Sequence, residues 1–230
     1  MTRFYLKGFV LICLLWNFST LVMDNQMFGQ NLHLNREVRM LVLGDSYTIG
    51  ESVEIDQRWP HQFVTDLRKL GANADLPDYI AKTGWTTSNL LDGIDSKLDK
   101  EKDYNLVSIL IGVNNQYQGR DISIYEPELR RIIDLALGIT GQDTSRLFVL
   151  SIPDYAYTPF GKGDTSISKE IDAYNEINHR VSVEYGIAWI DITPISRRGL
   201  NDPSLVAMDG LHPSGEQYRE WVEKLIRQLK

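Results

Sequence analysis

The chain has 230 residues, 43% of them hydrophobic and 24% charged, which is typical of one globular domain with a full core. A formal net charge of -7 without a basic cluster argues against a nucleic-acid-binding protein. Cys13 is the single cysteine, and the four histidines never have the His-x-x-x-His spacing. We therefore expect neither a disulfide nor a zinc motif, and no metal or other cofactor.

The N-terminal residues differ from the rest of the chain. Arg3 and Lys7 precede an apolar run from Gly8 to Trp16, which is the order of a secretory signal. Residues 1–23 are predicted to be a signal peptide or an uncleaved membrane anchor, with an ordinary apolar N-terminal segment as the alternative. The first two predict a periplasmic, extracellular or membrane-proximal protein. Residues 24–37 are polar and typical of a linker, and residues 38–230 are predicted to form the folded domain.

Five short apolar runs predict strands that are buried on both faces, because they are rich in leucine and β-branched residues and do not alternate with polar ones. In chain order they are Met40–Leu43, Tyr79–Ala81, Leu106–Ile111, Leu147–Ile152 and Ala188–Ile190.

Amphipathic helices are predicted between these strands, from apolar residues at helical spacing. The first has Pro60 in its first turn and ends at Gly71, and the second is closed by Gly138. A third spans Ile167 to Tyr185. The last helix begins with Ser214 and Gln217, spaced as a capping box. This alternation predicts a single three-layer α/β/α sandwich, with a flavodoxin-like, five-stranded parallel sheet.

Polar residues follow the predicted strands, where parallel strands open at one edge of the sheet and ligands of open α/β sheets bind. We expect these residues to converge although they are far apart in sequence. In strand order they are Ser46, Gly84, Asn114, Asp154 with Tyr155, and Asp209 with His212.

Each of these residue types supplies a part that acyl transfer needs. Ser46 is the candidate nucleophile, His212 the base that takes its proton, and Asp209 the group that orients the imidazole. The amides of Ser46 and Gly84 and the side chain of Asn114 are candidate donors to the oxyanion. Asp45 is expected to be a structural hydrogen-bonding residue of the turn.

The sequence resembles the SGNH hydrolase superfamily, or GDSL-type esterases, from about Met40 to its C-terminus. The four matching blocks are Gly44-Asp45-Ser46, Gly84, Gly112-Val113-Asn114 and Asp209-Gly210-Leu211-His212. Tyr47 stands where leucine is frequent in that family. Asn115 stands where an aspartate is usual. The hydrogen-bonding role of that position can survive as an amide, but a charge is lost, and we expect Asn115 to be an ordinary loop residue.

The resemblance implies a serine hydrolase that cleaves carboxylic esters or thioesters through an acyl-enzyme. Members of the superfamily act on lysophospholipids, short aryl esters, acyl thioesters and acetylated sugars. An acyltransferase to a sugar or lipid hydroxyl would use the same acyl-enzyme and is the first alternative. A non-catalytic binding module is the second, although none of the four block residues is replaced here.

Aromatic residues lie on the same loops as the block residues, and substrate pockets are largely apolar and aromatic. Tyr47, Trp85, Tyr155 and Phe160 are candidates for substrate binding, while packing of the loops onto the sheet is the alternative. The segment Pro153–Gly163 is predicted to be a loop that crosses the site as a partial lid.

Overall fold

Five parallel strands form the central sheet of the computed structural model, which describes residues 37–229. A separate two-stranded sheet is formed by Glu37–Val38 and Asn73–Ala74. The predicted signal or anchor, residues 1–23, lies outside the described residues, as does most of the predicted linker. Within residues 37–229 no helix is long and apolar enough to cross a membrane. The strands are β1 (Glu37–Val38), β2 (Met40–Gly44), β3 (Asn73–Ala74), β4 (Asp78–Ala81), β5 (Leu106–Leu110), β6 (Leu147–Leu150) and β7 (Ala188–Ile190).

The helices cover both faces of the sheet. Helices α2 and α8 pack against each other, whereas α3, α5 and α6 pack in succession. Right-handed crossovers put helices that lead in opposite directions along a sheet on opposite faces, which gives three layers. The helices are α1 (Ser46–Ile49), α2 (Trp59–Lys69), α3 (Thr87–Lys97), α4 (Val113–Tyr117), α5 (Tyr125–Ile139), α6 (Thr165–Glu184), α7 (Thr193–Ser196) and α8 (Gly215–Leu229).

The order of the strands positions the functional residues. The central sheet runs β4-β2-β5-β6-β7, with every pair parallel. After β2 the chain crosses to one side, to β4, and then returns past β2 to β5 on the other side. In a doubly wound sheet, a crevice opens where the connections that leave two neighbouring strands lead in opposite directions. Here these strands are β2, which leads to β4, and β5, which leads to β6, so the crevice lies outside their carboxyl ends. The predicted three-layer, flavodoxin-like sandwich is confirmed.

The five predicted strands lie where expected: the fifth matches residue for residue, and each of the other four differs at one end by one or two residues. The third strand ends at Leu110 and the fourth at Leu150. Both were predicted too long, because Ile111 and Ile152 are apolar and remain buried after the chain has left the sheet. Both faces of β2, β5 and β6 are buried as predicted, whereas the edge strand β4 is partly exposed. Strand β1 includes Glu37, the last residue of the predicted linker, which pairs with Asn73, so this residue belongs to the fold.

Two details of the predicted helices are wrong. Helix α5 does not stop at Gly138 but continues through Ile139. The capping box of α8 is only half formed. The Gln217 amide donates to the Ser214 hydroxyl at 3.2 Å, but the Gln217 side chain donates to the carbonyl of Leu205 at 2.8 Å.

Gly44 ends β2 at a point where no side chain fits. A Cβ atom there would lie 2.0 Å from the Thr48 hydroxyl and 2.2 Å from the carbonyl oxygen of Leu110. The Thr48 hydroxyl donates to that carbonyl at 3.3 Å, so the first turn of α1 rests on the end of β5. Glycine is thus required for the tight passage from strand to helix that presents Ser46.

We expect Gly44→Ala to lower the free energy of unfolding by about 3 kcal/mol, because the new methyl group overlaps backbone that cannot move aside. Gly138→Ala is the matched control. Gly138 is an exposed helical glycine with open space around its Cβ position, so alanine should raise stability by about 0.5–1 kcal/mol. Urea unfolding of both variants measures the two effects, and equal changes would contradict the explanation.

Candidate active site

Asp45 and Ser46 form the turn at the end of β2. Asp45 is the N-cap of α1, and its Oδ1 accepts a hydrogen bond from the amide of Tyr47 at 3.0 Å. Its second oxygen, Oδ2, lies 3.5 Å from Nδ2 of Asn114, which donates to it. Ser46 is the first residue of α1 and is buried except for 4% of its surface. Asp45 therefore hydrogen-bonds within the turn, as expected, and also reaches the third block.

The loop before α8 brings Asp209 and His212 together. The Ala207 amide donates to the His212 carbonyl at 2.8 Å and closes this loop. Within it, Oδ1 of Asp209 accepts from the amides of Leu211 at 2.9 Å and His212 at 3.0 Å. The other oxygen lies 2.6 Å from Nδ1 of His212. Asp209 thus holds both the backbone and the ring, which leaves Nε2 of the imidazole for a different partner.

Asp209 is held in its ionised form. Burial opposes ionisation, but hydrogen bonds from Ser52, His212 and the amides of Leu211 and His212 outweigh it and hold the pKa of Asp209 well below its usual value. A carboxylate in this position favours the imidazolium that forms when the ring accepts a proton.

The turn of Asp45 and Ser46 (the nucleophile turn, after the candidate nucleophile) and the loop from Ala207 to His212 (the histidine loop) meet through Tyr47. Its ring centroid lies 5.2 Å from that of His212, with the ring planes tilted by 55°. The carbonyl of Tyr47 accepts a hydrogen bond at 3.1 Å from the hydroxyl of Tyr218, which lies on α8. Because Tyr47 is only 4% exposed, it packs against the imidazole rather than forming an open surface for substrate.

Gly84 lies at the third position of a β-turn. The Trp85 amide donates to the Lys82 carbonyl at 3.2 Å, and Gly84 has a φ of 80°, a combination found in type II turns. A side chain would strain this backbone, which explains the glycine. The carbonyl of Gly84 accepts a hydrogen bond from Nε2 of Gln118 at 2.8 Å, so this turn is tied to the end of α4.

Asn115 is not an ordinary loop residue, and that expectation was wrong. It is 1% exposed and lies in α4, directly after Asn114. Its Oδ1 accepts from the amide of Thr87 at 3.0 Å, and its Nδ2 donates to the Thr87 hydroxyl at 2.6 Å. The two hydrogen bonds join the third block to the start of α3.

Three aromatic rings form a cluster beside the histidine loop. The centroids of Tyr117, Tyr155 and Phe160 lie 6.1–6.2 Å apart. Tyr155 is buried and donates to Oε1 of Gln116 at 2.8 Å, whereas Tyr117 and Phe160 are 58% and 47% exposed. The Phe160 amide donates to the carbonyl of Gly210 at 2.9 Å, so the segment Pro153–Gly163 is attached to the histidine loop.

Trp85 does not belong to this cluster. Its ring packs where a Cβ on Gly93 would lie, at 2.4–2.5 Å, and Nζ of Lys97 is 4.9 Å from the ring centroid. Both residues belong to α3, so Trp85 packs that helix onto the edge of the sheet, the alternative that the sequence left open.

Sequence reasoning missed several residues of the site. The Ser52 hydroxyl donates to Oδ2 of Asp209 at 2.6 Å, although Ser52 adopts a φ of 65°, which is rare for residues other than glycine. No sequence motif marks this residue. Gln118 could have been suspected only from its place shortly after the Asn114 block.

The remaining described histidines lie in local contacts. Nδ1 of His61 is 2.9 Å from the Tyr79 hydroxyl, and the His179 ring centroid lies 4.4 Å from that of Trp189, with the ring planes tilted by 43°. His33 lies outside the described residues. Between residues 37 and 229 no group of three or more histidine, cysteine, aspartate or glutamate residues could hold a metal ion.

With this geometry in place, comparison with known proteins identifies the family. The model of the GDSL-like lipase/acylhydrolase family matches residues 42–220. The chain belongs to this family. The match extends from β2 into α8 and contains all four blocks, so this GDSL-type protein is a hydrolase of ester bonds, as the resemblance implied. No curated protein sequence matches it.

Solved structures of GDSL-type hydrolases share the fold at low sequence identity. TesA matches with a TM-score of 0.65 at 18% identity over 84% of this chain and 98% of that one. A lipase/acylhydrolase from Enterococcus faecalis has a TM-score of 0.66 at 18% identity, over 84% and 95%. An acetylxylan esterase from Geobacillus stearothermophilus, crystallised as a catalytic mutant, gives 0.64 at 18% identity, over 84% and 94%.

We expect the stability of this hydrolase to depend on pH through Asp45. Burial raises the pKa of Asp45 to about 7 from 3.8, although hydrogen bonds from Tyr47 and Asn114 favour the ionised form. The folded protein therefore binds this proton more tightly than the unfolded chain. The resulting stability is present below the unfolded pKa and is lost as the pH rises through about 7.

Asp45→Asn removes this titration, so the stability of wild type relative to the variant should fall between pH 4 and pH 7, roughly the two pKa values. Urea unfolding at several pH values measures it. Asp164→Asn is the control. Hydrogen bonds from Ser166 lower the pKa of the exposed Asp164, so the stability of wild type relative to this variant should rise with pH. A difference for Asp45 that does not change with pH would contradict this assignment.

Proposed function

We propose that the protein is a serine esterase that hydrolyses carboxylic esters or thioesters through an acyl-enzyme formed on Ser46. The observation that carries the proposal is the 2.6 Å contact between Asp209 and Nδ1 of His212, on a loop whose imidazole packs against the residue after Ser46. Family membership supports the reaction class. The roles of individual residues and the substrate are the proposal.

In the first half of the reaction, Oγ of Ser46 attacks the acyl carbonyl carbon and its proton passes to Nε2 of His212. Asp209 keeps the imidazole in the tautomer that presents Nε2 and favours the imidazolium. The carbonyl oxygen becomes an oxyanion. Collapse of the tetrahedral intermediate breaks the bond to the leaving group, which takes the proton from His212.

The oxyanion is stabilised by the amides of Ser46 and Gly84 and by the side-chain amide of Asn114. The hydrogen bond from Asn114 to Asp45 holds that side chain at the end of β5, next to the nucleophile turn. Donors held in place in this way need no reorganisation during the reaction, and one of them is typically worth about 10²–10³ in rate.

In the second half, His212 takes a proton from the water that attacks the acyl-enzyme carbonyl. The bond between the acyl carbon and Oγ of Ser46 then breaks, His212 returns the proton to Oγ, and the acid is released. An acceptor alcohol in place of water would give transfer instead of hydrolysis. No contact of the described residues favours an alcohol over water, so we propose the hydrolase.

For the substrate we propose an ester with an apolar acyl chain or leaving group. Tyr117 and Phe160 expose large aromatic surfaces beside the histidine loop, and Met208, next to Asp209, is fully exposed. Exposed apolar residues grouped at a functional edge are typical of a binding surface. Lysophospholipids have such an acyl chain. Acetylated carbohydrates do not, and they are the alternative because one similar structure is an acetylxylan esterase. We also propose export, with residues 1–23 as the signal or anchor.

Ser46→Ala should reduce ester hydrolysis at least about 10⁴-fold, since the acyl-enzyme can no longer form. The assay is a panel of p-nitrophenyl esters of graded acyl length, lysophospholipids and acetylated xylo-oligosaccharides. Ser96→Ala is the matched control, because Ser96 is a helix-surface residue that donates only to backbone of its own helix, and it should retain full activity. Hydrolysis that persists in Ser46→Ala would refute the mechanism.

The double variant Tyr117→Ala/Phe160→Ala should raise KM about tenfold for long-chain or aryl esters and less for acetyl esters, because the lost apolar contact is worth about 1.5 kcal/mol. The value of kcat should change little. Leu135→Ala is the control, since Leu135 is an exposed apolar residue on the outer surface of α5. An unchanged dependence of KM on acyl length would show that these rings do not bind the substrate.

A further inference from the structure

A buried chain of hydrogen bonds connects three helices behind the proposed oxyanion donors. Nδ2 of Asn115 donates to the Thr87 hydroxyl at 2.6 Å, and that hydroxyl donates to Oε2 of Glu128. Oε1 of Glu128 accepts from the Ser88 hydroxyl at 2.7 Å. Thr87 is fully buried and Asn115 is 1% exposed, so water does not compete for these two groups. The chain joins α4, α3 and α5.

The direction of this chain is fixed by chemistry. The Thr87 amide can only donate, and it donates to the Asn115 side chain at 3.0 Å, so the atom it meets is the amide oxygen. The nitrogen of Asn115 must then be the atom that faces the Thr87 hydroxyl. That hydroxyl has one hydrogen, which goes to the carboxylate of Glu128, a group that can only accept.

This chain lies next to both oxyanion candidates outside the nucleophile turn. Asn115 directly follows Asn114, and Thr87 comes three residues after Gly84. A second bond, from Gln118 to the carbonyl of Gly84, joins the same two segments at 2.8 Å. The distance between Gly84 and Asn114 is therefore set by side chains that never reach the substrate.

We propose that Asn115 is a positioning residue for the oxyanion donors, and that it acts through a hydrogen-bond chain whose direction is set by Glu128. The inference rests on the proposed function of Gly84 and Asn114. The carboxylate of Glu128, which extends from α5, also lies at the N-terminus of α3, where a negative charge is favourable. Asn115 replaces the aspartate that is usual in this family, and the negative charge lost there is instead carried by Glu128, on the other side of the Thr87 hydroxyl.

Family resemblance alone and the hydrogen-bond chain predict different results for Asn115→Asp. Asn115→Asp restores the residue that is usual in the family, but it places the Thr87 hydroxyl between two carboxylates with one hydrogen to donate. One buried acceptor is then left without a donor, which is costly. Glu128→Gln supplies a donor at the other end. In the double variant the chain can therefore run in reverse, from the new amide at position 128 through the Thr87 hydroxyl to the new carboxylate at position 115.

The test compares wild type, Asn115→Asp, Glu128→Gln and the double variant with p-nitrophenyl acetate. Asn115→Asp should lower kcat about 10²-fold with little change in KM, because small displacements of catalytic groups cost about that much. Glu128→Gln alone should lower kcat less than Asn115→Asp does, since its amide can turn an oxygen towards Thr87 although the negative charge at the N-terminus of α3 is lost. The double variant should recover at least tenfold of the loss, as coupled neighbours do.

Full activity of Asn115→Asp, or a double variant no better than Asn115→Asp, would overturn the proposal. Asn105→Asp is the matched control. Asn105 bridges backbone at the opposite end of the sheet, to Arg39 and Glu37, so its loss should reduce stability without lowering kcat and without rescue by Glu128→Gln.

Urea midpoints of the same variants give a readout that does not need activity. The double variant should unfold at a higher midpoint than Asn115→Asp, and a double variant that folds while Asn115→Asp does not is the same result. Equal or lower stability of the double variant would refute the reversed chain. Wild type without esterase activity would instead refute the proposed function, so the two failures are distinct.

Discussion

The divergence of the chain at β2 is the constraint on which the rest of the site depends. Strand β2 lies between β4 and β5, and the chain leaves β2 towards β4 but leaves β5 in the opposite direction, towards β6. The crevice that opens there receives the turn after β2 and the loop after β5, which carry Ser46 and Asn114. The passage works only because Gly44 lets α1 rest directly on the end of β5. Strand order and one missing Cβ atom therefore place Ser46, the proposed nucleophile.

Polar side chains, rather than the apolar core, then fix the loops relative to one another. Asp45 is bonded to Asn114, Thr87 to Asn115, and Ser52 to Asp209. Each bond joins segments that are distant in sequence. Asp45, Thr87 and Asn115 are buried, so bonds between such groups specify one arrangement, because a broken bond leaves a buried polar group without a partner. The sheet brings the loops to one edge, and these bonds give the edge its geometry.

Sequence patterns predicted the part of this architecture that follows from periodicity and local spacing. The strand around Val42 and the helix stripe around Leu129 are apolar because they are core, so their pattern was readable. The pair Asp209 and His212 lies within one short loop, so its spacing was readable too. Helix α3 was not predicted because it has little apolar periodicity. One of its inward positions is Gly93, where the ring of Trp85 takes the space of a side chain.

Contacts between distant loops were not readable. Nothing local distinguishes the buried Asn115 from an exposed loop asparagine, and nothing marks Ser52 as a partner of Asp209. Tyr155 and Trp85 share the loop setting of Phe160, but one is buried beneath it and the other packs on α3. Which face an aromatic residue on a loop presents depends on tertiary packing that periodicity does not record.

The hydrogen bond between Ser52 and Asp209 joins residues 157 positions apart. During synthesis the nucleophile turn therefore leaves the ribosome long before its acid and base partners exist. A chain that has already formed β2, β4 and β5 still contains only an unactivated serine hydroxyl. The proposed reactive assembly is completed by the loop of Asp209 and His212 and by α8, which emerge after all five strands of the central sheet, so the order of the sequence keeps the nascent protein catalytically silent until that sheet can be complete.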